Sequence, residues 1–144
     1  MLNFAIVLSS AFAATCAASQ VLTDQDDDII TTVFLDELNK FQHAVLKSTG
    51  FFVERDDSLR LALIGNPTTG YGWNVNESNA NGAFTVTKEY VQDEVPEGFT
   101  GVGGMYYFTI EAGSEIGDGS IGLTYSRADD LNATKQFEFP VHIF

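Results

Sequence analysis

Apolar and polar residues alternate with a period of two along most of the chain after Gly50. This alternation predicts β-strands that bury one face, and the clusters of Gly, Asp, Asn and Ser between the runs are typical of turns. The runs are Phe51–Val53, Leu59–Ile64, Tyr71–Val75, Phe84–Tyr90, Tyr106–Ile110, Ile121–Tyr125 and Phe137–Phe144. Together they predict an all-β fold, an antiparallel sandwich or barrel. Pro140 predicts that the last run is an edge strand or contains a bulge, because proline has no N–H to donate.

The segment before Gly50 gives mixed signals. Its apolar residues fit either a short amphipathic helix or a strand, and both alternatives stay open; they are Val33, Phe34, Leu35, Leu38 and Phe41. The acidic run Asp24–Asp28 resembles the start of a calcium loop. However, Ile29 stands at the position of the turn glycine and Leu35 at that of the final glutamate. We therefore interpret the run as a solvated acidic leader and expect no metal site.

Residues 1–19 contain no charged side chain and hold an apolar stretch followed by Ala17, Ala18 and Ser19. This pattern predicts a secretory signal peptide, with an N-terminal anchor or a buried strand as the alternatives. Cleavage would remove Cys16, the only cysteine. We then expect residues 20–49 to form an N-terminal extension or first strand, and residues 50–144 a single domain. The expected location is the secretory pathway, either secreted or in a lysosome-like or vesicular compartment.

The formal net charge of −13 excludes nucleic acid and anionic membranes as natural partners, since both would repel the chain. Asn76 and Asn132 each begin an Asn-x-Ser/Thr sequence and are predicted glycosylation sites in a eukaryotic source. Catalysis finds little support. Neither His43 nor His142 has a metal-ligand or nucleophile pattern beside it, so we expect no catalytic residue and no cofactor.

Three loops carry the chemistry that remains. The first consists of Asn66, Pro67, Thr68, Thr69, Gly70 and Tyr71, and its proline and glycine favour a stiff turn. The second consists of Gly101, Val102, Gly103 and Gly104, whose nearly bare backbone could pair with another chain. The third contains Arg127, a possible donor to a partner. The alternatives are a plain connecting loop, an entropic hinge and a local ion pair with Asp129 or Asp130.

This order of motifs resembles the chagasin family of protein inhibitors of cysteine peptidases, over about residues 50–144. Asn66–Trp73 is a specific match and Gly101–Gly104 a good one. The family's third motif is Arg-Pro-aromatic, whereas here Ala128 and Asp129 follow Arg127, so only the arginine carries over. Residues 20–49 form a longer segment than the family pattern needs.

The resemblance implies an immunoglobulin-like antiparallel β sandwich with three binding loops at one end. These loops would form a wedge that enters and reversibly blocks the cleft of papain-like, cathepsin L-like cysteine peptidases. Thr68 and Thr69 would lie over the catalytic Cys–His pair, with the glycine loop and Arg127 on either side. Tyr71 and Trp73 are expected to brace the first loop from behind. We expect a monomer, and the alternative function is a non-inhibitory binding or adhesion module.

Overall fold

The structure, a computed structural model, describes residues 19–23, 29–76, 82–128, 132 and 134–144. Except for Ser19, the predicted signal peptide lies outside the described residues, as do the acidic leader and the pair Asp129 and Asp130. The described chain forms β1 (Ser19–Thr23), β2 (Ile29–Phe34), a 3-10 turn (Leu35–Glu37), α1 (Lys40–Thr49), β3 (Phe51–Val53), β4 (Ser58–Gly65), a second 3-10 turn (Pro67–Thr69), β5 (Tyr71–Asn76), β6 (Phe84–Gln92), β7 (Gly104–Ala112), β8 (Gly117–Arg127) and β9 (Lys135–Ile143).

The strands form two sheets that share one core. The five-stranded sheet has the order β1-β2-β4-β7-β6, and the four-stranded sheet has the order β3-β9-β8-β5. The predicted antiparallel sandwich is confirmed, and its strands follow the runs that alternation marked. Two pairings differ from the prediction, because β2 runs parallel to β4 and β3 runs parallel to β9. In each parallel pair the earlier strand, β2 or β3, ends by residue 53.

The core lies between the sheets and takes alternate residues from each strand, as the period of two requires. Fully buried side chains from both sheets include Leu61, Phe108, Ile121, Leu123 and Phe139. Phe51 meets Phe139 edge to face, with ring centroids 5.3 Å apart. Apolar burial of this kind supplies the main stabilisation in a domain without described disulfides.

The segment whose pattern was ambiguous contains both a strand and a helix. α1 begins with a capping box, in which the Asn39 side chain accepts from the Gln42 N–H and the Gln42 side chain accepts from the Asn39 N–H. It ends at Gly50, whose φ of 76° favours glycine. Leu35, Leu38 and Leu46 are buried in the common core. Residues 29–49 are therefore built into the sandwich.

The prediction that Pro140 marks an edge strand or a bulge is wrong. β9 lies between β3 and β8, and its pairing with β8 runs without interruption from Lys135 to Ile143. Pairing with β3 begins only at Val141, so no β3 residue lies opposite Pro140 and its missing N–H interrupts no hydrogen bond to β3. A side chain at Gly50 would collide with the Pro140 carbonyl, so the backbones of Gly50 and β9 approach closely here.

Within the described residues, no helix is long and apolar enough to cross a membrane.

Candidate functional site

The first loop is a single 3-10 turn between β4 and β5. Pro67 occupies its first position, where a missing N–H costs nothing. Two backbone bonds close the turn, from the Thr69 N–H to the Asn66 carbonyl (3.2 Å) and from the Gly70 N–H to the Pro67 carbonyl (3.0 Å). Gly70 has a φ of 83°, a left-handed conformation that returns the chain to β5. Pro67, Thr68, Thr69 and Gly70 are all exposed, so the turn projects as a tip.

Asn66 holds this turn together. Its Oδ1 accepts from the Thr68 N–H (3.1 Å) and from the Thr68 hydroxyl (2.5 Å). Its carbonyl accepts from the Thr69 hydroxyl at 2.7 Å. Both threonine hydroxyls thus point back into the loop, which fixes the conformation of the tip before any partner arrives. Preorganisation of this kind reduces the entropy lost on binding.

Trp73 braces the first loop from behind. Its side chain is only 1% exposed, and its Nε1–H donates to the Ile64 carbonyl at 3.0 Å. The indole therefore ties the start of β5 to the end of β4, on either side of the loop. Tyr71 is half-buried and stacks on Tyr125 with ring centroids 5.5 Å apart. The bracing role expected for these aromatics agrees with the position of Trp73, whereas Tyr71 lies nearer the surface.

The second loop lies beside the first. β7 starts at Gly104, which pairs with Gly65 at the end of β4 and with Gln92 at the end of β6. The Asn66 Nδ2–H donates to the Gly101 carbonyl at 2.7 Å, so one side chain links the two loops. Gly101 has a φ of 79°, and a Cβ added there would lie 3.6 Å from the Thr68 hydroxyl. The structure thus brings these two groups of predicted residues together.

Two tyrosines fill the space beneath the glycines at the base of these loops. A Cβ at Gly65 would lie 2.5 Å from the Tyr106 ring, and one at Gly104 would collide with the Val91 carbonyl and lie 2.8 Å from the Tyr90 hydroxyl. Glycine is therefore needed at both positions for close approach. Burial raises the pKa of Tyr106, and the nearby Tyr90 and Tyr125 add to the effect.

Arg127 lies on the other side of the first loop. It ends β8 and pairs in register with Tyr71, at the start of β5. Its guanidinium carbon lies 5.5 Å from the centroid of the Tyr71 ring, a cation–π contact. A Cβ at Gly70 would lie 3.5 Å from the Arg127 Nε. All three groups of predicted site residues therefore meet at one end of the sandwich.

Two apolar residues of the connection between β6 and β7 are exposed although no motif marked them. Phe99 is 66% exposed and Val95 is 46% exposed. A turn bond from the Phe99 N–H to the Pro96 carbonyl (3.1 Å) places Phe99 at the end of that turn. The signal in the sequence was a large aromatic inside a polar, acidic connection.

Across the described ranges, no group of three or more His, Cys, Asp or Glu residues could hold a metal ion.

The chain is an immunoglobulin-like sandwich that presents three neighbouring loops at one end. The chain matches the model of the chagasin family of peptidase inhibitors, I42, over residues 53–143. It belongs to that family, so the assignment made from the sequence motifs is confirmed. Membership also favours the predicted cysteine peptidase inhibitor over the alternative of a non-inhibitory adhesion module.

Relatives and solved structures agree with this assignment. Amoebiasin-1 of Entamoeba histolytica is 34% identical over 97 residues, which are 67% of this chain and 91% of that protein. The solution structure of amebosin is 30% identical with a TM-score of 0.58, covering 80% of this chain and 97% of the other. The cysteine protease inhibitor EhICP2 from E. histolytica shares the fold at 22% identity and a TM-score of 0.54, over 65% of this chain and 85% of its own.

Proposed function

We propose that the protein inhibits papain-like, cathepsin L-like cysteine peptidases reversibly, by placing its three loops in the active-site cleft. The observation that carries this mechanism is the bond from the Asn66 side chain to the Gly101 carbonyl. It joins the first two loops into one preformed surface, with Arg127 beside the first loop. The three loops are therefore positioned to enter a cleft together rather than one after another.

The first loop is suited to occupy a catalytic centre without being cleaved. Pro67–Thr69 form a 3-10 turn, closed by hydrogen bonds that the Thr69 and Gly70 N–H groups donate. A peptide bond is attacked when the reacting atoms are aligned in a near-attack geometry, and a substrate pairs with a cleft as an extended strand. The helical turn holds the Thr68–Thr69 peptide away from that extended geometry. The inhibitor therefore blocks the catalytic pair and resists turnover.

The flanking loops supply different contacts. Gly101 and Gly103 present backbone groups with no side chain in the way, which suits strand-like pairing along the substrate-binding cleft. Arg127 presents a guanidinium that can donate several hydrogen bonds to carbonyl or carboxylate oxygens on the opposite wall.

The uncharged, apolar character of residues 1–19 supports a further proposal, that the protein acts in the secretory pathway or outside the cell.

A charge at the tip tests the mechanism. We expect Thr69→Glu to raise the inhibition constant against papain by about 100-fold or more, because a buried, unpaired carboxylate would face the catalytic centre. Thr69→Ser keeps the hydroxyl that bonds to the Asn66 carbonyl and should retain inhibition. Thr87→Glu adds the same charge at an exposed position on β6 and serves as the matched control.

The assay follows hydrolysis of a fluorogenic peptide, with melting temperatures measured in parallel. Equal inhibition by Thr69→Glu and the unaltered protein would contradict the placement of the tip. Time-dependent cleavage between Thr68 and Thr69 would show that the loop is a substrate and not a block.

A further inference from the structure

A row of apolar side chains crosses the outer face of the five-stranded sheet. Ile64 on β4 pairs with Met105 on β7, and Met105 pairs with Val91 on β6. Ile64 is 63% exposed and Val91 is 47% exposed, while Met105 is half-buried. Their chain neighbours Leu63 and Tyr106 are buried, so these three side chains face away from the core. We refer to Ile64, Met105 and Val91 as the apolar row.

The backbone that carries Ile64 is fixed on both sides. Its N–H donates to the Asp36 carboxylate at 2.5 Å, and its carbonyl accepts from the Trp73 indole at 3.0 Å. Asp36 belongs to the 3-10 turn after β2, so this bond ties β4 to the N-terminal segment. An exposed isoleucine on a rigid backbone loses little entropy when a partner covers it.

The apolar row is continuous with the loop surface. The next register positions toward the loops are Gly65, Gly104 and Gln92, and the first and second loops leave the sheet directly after them. Three adjacent strands about 4.8 Å apart give the row a width of about 10 Å. Single exposed apolar residues are ordinary, but a cross-strand row at the base of two binding loops indicates an interaction surface.

We propose that the apolar row is a fourth contact surface for the target peptidase, which packs an apolar part of its cleft rim against the flank of the inhibitor. The inference rests on the proposed function, because the loops must enter the cleft for the rim to reach the row. The continuity of the row with the loops selects the peptidase as the occupant, since a protein that covers the loops reaches the row next.

The test compares two isoleucines that are similarly exposed but lie at opposite ends of the sheet. Ile64→Ser removes the most exposed member of the row, and Ile116→Ser removes an isoleucine that is 71% exposed between β7 and β8. Ile116 lies beyond the far end of β7, about 30 Å from the loops at 3.4 Å per residue. Both variants and Val91→Ser are assayed against papain and a cathepsin L-like enzyme, with melting temperatures recorded.

We expect Ile64→Ser to raise the inhibition constant about tenfold through a faster dissociation rate, and Val91→Ser to raise it about threefold. Ile116→Ser should change it by less than about twofold. Val91 lies on a different strand from Ile64, so it gives an independent measurement if Ile64→Ser lowers the melting temperature.

The outcomes separate this inference from the proposed function. Full inhibition by both Ile64→Ser and Val91→Ser, with Thr69→Glu inactive, would overturn the inference and leave the loop mechanism intact. A concentration-dependent dimer that Ile64→Ser abolishes, with inhibition unchanged, would assign the row to a second copy instead. Absence of inhibition by the unaltered protein would overturn the proposed function and this inference together.

Discussion

The first and second loops lie side by side yet are held in place by different means. Inside the first loop, the Asn66 side chain, two threonine hydroxyls and two backbone bonds fix a turn of a few residues. The described turn and loop bonds include two in the connection from β6 to β7. One runs from the Asp93 N–H to the Gly103 carbonyl, and the other from the Phe99 N–H to the Pro96 carbonyl. The further restraint on Gly101 comes from outside, from Asn66.

The two loops therefore depend on each other unequally. The first loop can keep its shape without the second, because its hydrogen bonds are local. The glycine segment depends on the first loop for its position. A change that damages the first loop should therefore disturb both, whereas a change in the second should leave the first intact.

Removal of the Asn66 side chain should have the largest effect. Asn66→Ala leaves Thr68 without its acceptor and frees Gly101, so we expect the inhibition constant to rise about 100-fold. Stability should fall by about 1–2 kcal/mol, as for loss of an N-cap. Inhibition titrations and thermal unfolding measure the two effects. A stability loss without weaker inhibition would show that the loops do not depend on this side chain for binding.

A matched variant divides the two roles of Asn66. Asn66→Asp keeps the oxygen that accepts from Thr68 but replaces the donor that reaches the Gly101 carbonyl. We expect the first loop to persist and the inhibition constant to rise about tenfold, through the second loop alone. Hydrogen exchange of the amides in residues 98–104 should accelerate. Inhibition as strong as that of the unaltered protein would mean that the loops act independently.

Gly101→Ala should have a smaller effect. Its φ of 79° is strained for alanine, which costs about 1 kcal/mol, while the added Cβ would make only ordinary contact with the Thr68 hydroxyl, 3.6 Å away. We expect a fivefold rise in the inhibition constant, to within about a factor of two. Gly98→Ala carries similar strain at a φ of 90° with nothing within 4 Å, so it controls for backbone strain. Equal effects of the two alanines on inhibition would remove any special role for Gly101.

Arg127→Ala should have the smallest effect of the series, about two- to threefold on the inhibition constant. The third loop lacks the proline and aromatic of the family pattern, so it offers less rigid contact area than the first. Arg60→Ala is the control, because Arg60 stands over Tyr107 at the same 5.5 Å but lies four residues before Ile64 on β4, farther from the loops. A loss as large as that from Asn66→Ala would contradict the ranking of the loops.

Most of the sandwich could be predicted because its strands bury one face and so show a period of two. The choice between helix and strand before Gly50 stayed open although Asn39 and Gln42 form a capping box, since the apolar residues there fit a strand equally well. The position of β9 was misjudged because proline disrupts an inner strand only where a neighbouring strand needs its N–H. The pairing with β3 begins one residue after Pro140, so β9 can be an inner strand and still contain this proline.

The motifs named the candidate residues, but the hydrogen bonds and contacts between them could not be predicted. Asn66 and Gly101 are far apart in sequence, so no local pattern shows that one side chain bonds to the other. In the sequence, the members of the apolar row could be recognised only as single outward-facing positions on three separate strands. Ile64, Met105 and Val91 become one surface when the register is known.

The parallel pairing of β3 with β9 has a consequence for how the protein folds. Phe51 lies beside Val141, which is about ninety residues later in the chain, and closing so long a loop costs entropy before any contact offsets it. The hairpins of β6 with β7 and of β8 with β9 involve much shorter separations. We expect these hairpins to form first and the β3–β9 pairing to come late, giving folding times of milliseconds to seconds. Until then, the β3-facing side of β9 is an open strand edge, the feature through which β-proteins most readily associate with one another.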